Sequence, residues 1–226
     1  MRVNMPKINY MFPTHFFTIE QVKRPDIDQA FSKDEYDYIL SEISNTKSTY
    51  VESPENYIQV SSNNYVLNSS KLINLKAWLT NYVQDLSKNI YATTSDVSMQ
   101  ITTSWIVLGK KNQKSILHNH SNSFMSGILY LHADKTEDYI SFSQMPLVDR
   151  FSLDISKPSK ENPGSLLVQK QCNIPVNTGD ILIFSSHTYH MIEPIKSNND
   201  RLSLVFNIFP FGKLGSTEIN YVDIKI

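Results

Sequence analysis

Residues 98–108 read SMQITTSWIVL, and from here on apolar residues recur at every second position. That spacing puts alternate side chains on opposite faces of an extended chain and predicts a β-strand. The same pattern predicts strands at Phe124–Leu131, Tyr139–Ser143, Ser165–Gln169, Asp180–Phe184, Leu202–Phe209 and Glu218–Ile224. Turn-forming stretches separate them: Gly109-Lys110-Lys111-Asn112, Asn162-Pro163-Gly164, Asn177-Thr178-Gly179-Asp180 and Ser197-Asn198-Asn199-Asp200. Many short strands without long helices between them point to an antiparallel sandwich, jelly roll or barrel.

Upstream of this region the period is helical. Ser32-Lys33-Asp34-Glu35 has the capping-box pattern, and Tyr36, Ile39, Leu40 and Ile43 follow at helical spacing, so a short helix is expected over about 33–44. From Ser70 a longer stripe of Leu72, Leu75, Leu79, Tyr82, Leu86 and Ile90, widened by Trp78 and Val83, predicts an amphipathic helix packed on a sheet. No repeat, linker or low-complexity tract divides the 226 residues, so a single domain is expected. Residues 1–95 would be helical support and residues 96–226 the β core.

Composition narrows the function. Lys+Arg (21) and Asp+Glu (22) nearly cancel, which argues against non-specific nucleic-acid binding. No run approaches the roughly 18 apolar residues of a membrane span, and Met1-Arg2-Val3-Asn4-Met5-Pro6 has no signal-peptide character. The lone cysteine, Cys172, excludes an intramolecular disulfide, so a cytoplasmic protein is expected. Neither G-x-x-x-x-G-K-[ST] nor G-x-G-x-x-G occurs, against the usual nucleotide folds.

The chemistry gathers around histidines. His118-Asn119-His120 and His187-Thr188-Tyr189-His190 each lie at a predicted strand end. In extended chain, residues two apart face the same side, so His118 and His120 can address one point. Two close imidazoles and a distant third, His190, suit a divalent transition metal. A single histidine at such a place is ordinarily a surface or satisfied polar residue, and His15, His132 and His187 keep that reading. Eleven positions after His190 comes Arg201-Leu202-Ser203. Alternation places the guanidinium and hydroxyl on one face, where they could bind a carboxylate.

These segments resemble the iron(II)/2-oxoglutarate-dependent dioxygenases, and more narrowly a family of 2-oxoglutarate oxygenases of phages and marine bacteria. The resemblance rests on Ser104-Trp105-Ile106, His118-Asn119-His120, Ser126-Gly127-Ile128-Leu129-Tyr130-Leu131, Gly179–Ser186, His190 and Arg201–Asn207, in that order over about half the chain. Met11-Phe12-Pro13-Thr14 resembles the family's N-terminal entry. The resemblance implies a mainly β fold with flanking α-helices, the double-stranded β-helix or jelly roll. It implies iron(II) at the mouth, held by His118 and His190. It also implies 2-oxoglutarate bound to the metal through its 1-carboxylate and 2-keto oxygen, O2 as oxidant, and Arg201, Ser203 and possible help from Tyr130 at the 5-carboxylate. The expected activity is hydroxylation of a small metabolite or a protein side chain in the cytoplasm, that of the host if the gene is a phage's.

One position departs from the superfamily's pattern, in which His-x-Asp/Glu supplies a carboxylate. The corresponding residue here is His120. Three readings follow: a triad of His118, His120 and His190; His120 as first ligand with Asn122 in the carboxylate's place; or a carboxylate from elsewhere, such as Asp134. The first fits spacing and chemistry best. Ile181, Ile183, Leu204 and Phe206 are expected to form the dry wall of the site, and the polar segment from His132 to Asn162 to shape substrate choice. Two other functions compete: a cupin-like three-histidine metalloenzyme with no need of Arg201, and a non-catalytic jelly roll.

Overall fold

The computed structural model describes residues 16–48, 53–143, 171–215 and 221–225. In chain order the main elements are β1 (Phe17–Gln21), α1 (Lys33–Glu42), β2 (Thr46–Ser48), β3 (Gln59–Ser61), α2 (Ile73–Tyr91), β4 (Val97–Gly109), β5 (Met125–His132), β6 (Tyr139–Ser143), β7 (Gln171–Pro175), β8 (Asp180–Ser185), β9 (Tyr189–Met191), β10 (Arg201–Leu214) and β11 (Val222–Ile224). The predicted strand Ser165–Gln169, the Met11–Thr14 motif, His15, the Asn162-Pro163-Gly164 turn and most of the polar segment lie outside the described residues.

The capping box forms as its residue types require. Glu35 N–H donates to Ser32 Oγ (3.2 Å), and Ser32 N–H donates to Glu35 Oε2 (2.7 Å). Glu35 also takes hydrogen bonds from Arg24 Nη1 (2.7 Å), and Arg24 is shared with Asp26. This buried ion cluster ties the β1–α1 connection to the start of α1. In α2 the fully buried residues are Leu75, Leu79, Val83 and Ser87, preceded by Leu72, whereas Tyr82, Leu86 and Ile90 of the expected stripe are only half-buried. The buried row follows the i, i+4 ridge that packs on the sheet.

The larger sheet has the order β1-β8-β5-β10-β4-β3-β2, with β11 also on β10. The smaller has the order β7-β6-β9. All their ladders are antiparallel. Ile128, Tyr130, Leu182, Phe184 and Val205 of the larger sheet share one core with Ile140, Phe142 and Ile174 of the smaller, so the two sheets face each other. The opposite face of the larger sheet packs on the helices. The result is the expected mainly β jelly roll with flanking helices, a double-stranded β-helix. The pattern missed β1, β2, β3, β7 and β9, which are three to five residues long. Such segments hold too few apolar positions to show a period, and pairing with neighbours makes them strands. No helix among the described residues is long and apolar enough to cross a membrane.

The sheet's two faces correct one expectation. Ile181, Ile183, Leu204 and Phe206 lie in the core beneath the helices, not on the wall of the site. Alternation demands this: if Arg201 and Ser203 face inward, Leu204 and Phe206 must face outward. The wall is instead built from Ile58, Val60, Val107, Ile128, Ile140 and Val205.

Gly127 sits in β5 opposite Phe206 of β10, and a Cβ built on it would lie 2.2 Å from the Phe206 ring. The fully buried ring occupies the space a side chain would need. Gly127→Ala is therefore expected to cost about 1–3 kcal/mol by over-packing, read from urea denaturation. Adding Phe206→Leu should recover part of that loss relative to the sum of the two single changes.

Candidate active site

The site begins with backbone hydrogen bonds. His118 N–H donates to His190 O (3.0 Å), and His190 N–H donates to His118 O (2.8 Å). Two residues that exchange both bonds stand directly opposite, with side chains on the same face. The bridge joins the β4–β5 connection to β9, and the two imidazole centroids lie 4.4 Å apart. His120, two positions along, is anchored by its own N–H to Ser186 O (3.0 Å), and its ring lies 5.4 Å from that of His118 and 4.9 Å from that of His190.

One ring nitrogen from each histidine lies within 4.8 Å of the others. Some point is then within about 2.8 Å of all three (4.8 Å divided by √3). A slight inward settling of the rings reaches metal–imidazole distances of about 2.0–2.1 Å. The outer nitrogens fix the orientation. His118 Nδ1 faces Ile116 O (2.8 Å), His190 Nδ1 faces Thr188 O (3.0 Å), and His120 Nδ1 faces Ser126 Oγ (2.7 Å) and Asn207 Oδ1 (2.9 Å). A carbonyl only accepts, so Nδ1 carries the hydrogen and Nε2 keeps its lone pair for the cluster. Three neutral nitrogen donors facing one point fit a divalent transition metal.

Of the other residues weighed as ligands, Asn122 is exposed, in a left-handed turn conformation (φ 60°), and Asp134 accepts hydrogen bonds from the Thr136 N–H (2.8 Å) and hydroxyl (2.7 Å). Neither belongs to the cluster, and no carboxylate among the described residues joins it. His132 and His187 are exposed.

The three histidines line a cavity of about 290 Å³ whose lining is mostly apolar. Arg201 and Ser203 line it together, as their shared face requires. Arg201 is 3% exposed and takes part in no ion pair among the described residues. Its Nε has no hydrogen-bond partner, and Nη2 donates only a long bond to the Tyr130 hydroxyl (3.4 Å). Tyr130 is fully buried, its ring 5.2 Å from the guanidinium carbon. Burial pushes its phenol pKa up, and Arg201 partly opposes that. A buried guanidinium without an acid is costly unless an anion completes it. Trp105 also lines the cavity, edge-on to His120 at 5.4 Å. Sequence reasoning missed Ser126, Ser186 and Asn207, which stand behind His120. Their one signal was a polar residue inside an otherwise apolar strand segment, for Ser126 and Asn207, or directly after one, for Ser186.

Burial, reinforced by His118, lowers the pKa of His120 to about 4. Burial, then His118 and His120, lowers that of His190 to about 3. Both are therefore neutral near pH 7 and compete for a metal without first losing a proton. In the unfolded chain they titrate near the ordinary value of about 6.5. Their contribution to stability is complete above that pH and is lost as pH falls toward the folded values. The thermal midpoint of metal-free protein should fall between about pH 6.5 and 3, and His190→Ala should flatten that fall.

Residues 103–207 match the model of a family described as "Putative 2OG-Fe(II) oxygenase". None of the curated proteins matches the sequence. Among solved structures, an oxidoreductase of the 2OG-Fe(II) oxygenase family from Burkholderia pseudomallei is 12% identical, with TM-score 0.54, covering 85% of this chain and 83% of its own. HygX from Streptomyces hygroscopicus, solved with nickel and 2-oxoglutarate, is 14% identical with TM-score 0.54 and 92% of each chain covered. The non-heme α-ketoglutarate-dependent carbocyclase SnoK from nogalamycin biosynthesis is 11% identical with TM-score 0.55, covering 85% and 78%. These likenesses show the same fold, and the family match spans the three histidines together with Tyr130, Arg201 and Ser203. Over residues 103–207 the chain is thus similar to the 2OG-Fe(II) oxygenases, and its fold is theirs.

Proposed function

We propose that this chain is an iron(II)- and 2-oxoglutarate-dependent dioxygenase, a hydroxylase whose iron is held by His118, His120 and His190 and whose 2-oxoglutarate is held by Arg201, Ser203 and Tyr130. The observation that carries the assignment is the buried, acid-free guanidinium of Arg201 in the same cavity as the three imidazoles. A three-histidine enzyme without 2-oxoglutarate would have no use for that charge. Iron(II), 2-oxoglutarate and O2 together supply oxidative decarboxylation of the co-substrate to succinate and carbon dioxide, coupled to oxidation of a second substrate.

The chain's own part is positioning. His118, His120 and His190 would hold the metal through their Nε2 atoms. Arg201 offers its fork to the 5-carboxylate, with Ser203 adding a hydroxyl. Tyr130 accepts from Arg201, so its own hydrogen is free for the same carboxylate. Ile58, Val60, Val107 and Ile140 keep stray water from the reacting groups. In this reading the chain acts as one domain. Residues 96–226 carry the chemical groups, and residues 1–95 buttress them through α2 and through the cavity residues Ile58 and Val60. The substrate is a small molecule or a protein side chain, and the protein works in the cytoplasm.

The visible charge-transfer band of anaerobic iron(II)-loaded protein tests this assignment. Wild type should develop the band with 2-oxoglutarate. Arg201→Ala should need roughly 10–100-fold more co-substrate, the loss expected for charge-assisted hydrogen bonds. His190→Ala should abolish metal-dependent succinate formation. Normal succinate production by either variant would overturn the assignment, and iron binding without any band in wild type would favour the cupin-like alternative.

A further inference from the structure

The outer nitrogens of His118 and His190 each face a backbone carbonyl. His120 is different, because its Nδ1 faces side chains only, Ser126 and Asn207. Ser126, on β5, is fully buried and stands opposite Asn207 of β10. The β10–β4 ladder shifts register just after Asn207. Behind Ser126 the hydroxyls continue, from Ser126 Oγ to Ser186 Oγ (2.7 Å), from Ser186 Oγ to Ser123 Oγ (2.8 Å), and from Ser123 Oγ to Met125 O (2.8 Å).

Counting hydrogens gives this chain a direction. Met125 O only accepts, so Ser123 donates to it and accepts from Ser186. Ser186 has then spent its hydrogen and accepts from Ser126. Ser126 in turn has lone pairs left for Nδ1–H of His120. If Nδ1 were bare, Ser126 would turn its hydrogen toward it. The Ser126 and Ser186 oxygens would then face each other at 2.7 Å with no hydrogen between, and Asn207 Oδ1 would face a second lone pair at 2.9 Å. Inside a buried network such unmatched pairs are costly.

We propose that Ser126, Ser186 and Ser123, with Asn207, are positioning residues that force His120 into the Nδ1–H tautomer and aim its Nε2 at the metal. The network does with side chains what a backbone carbonyl does for the other two histidines. This inference rests on His120 being a ligand and adds residues that touch neither metal nor co-substrate.

Long-range 1H–15N NMR of metal-free protein, with titration of Co(II) as the probe metal, tests it. In wild type the His120 hydrogen should sit on Nδ1. Ser126→Ala and Asn207→Ala should shift it toward Nε2 and weaken Co(II) binding roughly 10–100-fold, as loss of an outer partner does at other metal sites. Ser186→Ala should act in the same direction but less, because Ser126 can turn its hydrogen to Asn207 Oδ1, 3.0 Å away. Ser186→Thr, which restores the hydroxyl, should rescue. The His118 and His190 tautomers should not move. A hydrogen remaining on Nδ1 in both Ser126→Ala and Asn207→Ala, with Co(II) affinity within about twofold of wild type, would overturn the proposal. Should Ser126→Ala fail to fold, Asn207→Ala and Ser186→Ala decide the matter by the same readouts. His120→Ala separates the layers: unchanged Co(II) binding removes His120 from the ligand set, whereas weakened binding alongside unaffected serine and asparagine variants removes only the network.

Discussion

The backbone exchange between His118 and His190, two hydrogen bonds of 3.0 and 2.8 Å, is the constraint around which the site is organised. Antiparallel geometry then does the rest. A hydrogen-bonded pair presents its side chains on one face, and the period of two brings His120 to that face as well. Three imidazoles separated by up to 72 positions in the chain converge because two backbone segments are clipped together at one residue pair. The same clip joins the β4–β5 connection to β9 of the smaller sheet, so the histidines stand at the seam between the two layers.

The larger sheet divides the labour between its faces. Its outward residues, Ile181, Ile183, Leu204 and Phe206 among them, meet the helices and stabilise the fold through apolar burial. Its inward residues form the cavity and hold the buried charge of Arg201 in a mostly apolar lining. That placement is unfavourable for stability taken alone. It is the kind of local cost that folds bear at functional sites, and a bound dicarboxylate would offset it.

Much of this was legible in the sequence. Strands long enough to show several alternations, β4, β5, β8 and β10, were readable from their period, as were the two helices from theirs and the start of α1 from its capping box. His118 and His120 could be paired because two residues apart in extended chain is a strictly local relation. Arg201 and Ser203 could be paired for the same reason. The three-residue strands β2, β3 and β9 escaped because no period can be seen in three residues. Ser126, Ser186 and Asn207 escaped because nothing local distinguishes a serine that supports a histidine from one that merely fills a strand.

The sequence by itself determined the two helices and the long strands, which residues along each long strand share a face, and which residues have the chemistry to bind a metal and a carboxylate, since all of these follow from local spacing and side-chain type; which of the two faces meets the cavity did not follow from it. Only the tertiary structure decided that His190 stands directly opposite His118, that no described carboxylate joins the three histidines, and that Arg201 is buried without an ion pair among the described residues. It also decided which serines stand behind His120. The reason is that register between distant strands is set by the packing of the whole sheet, and the partners of a buried polar atom are fixed only when that register is.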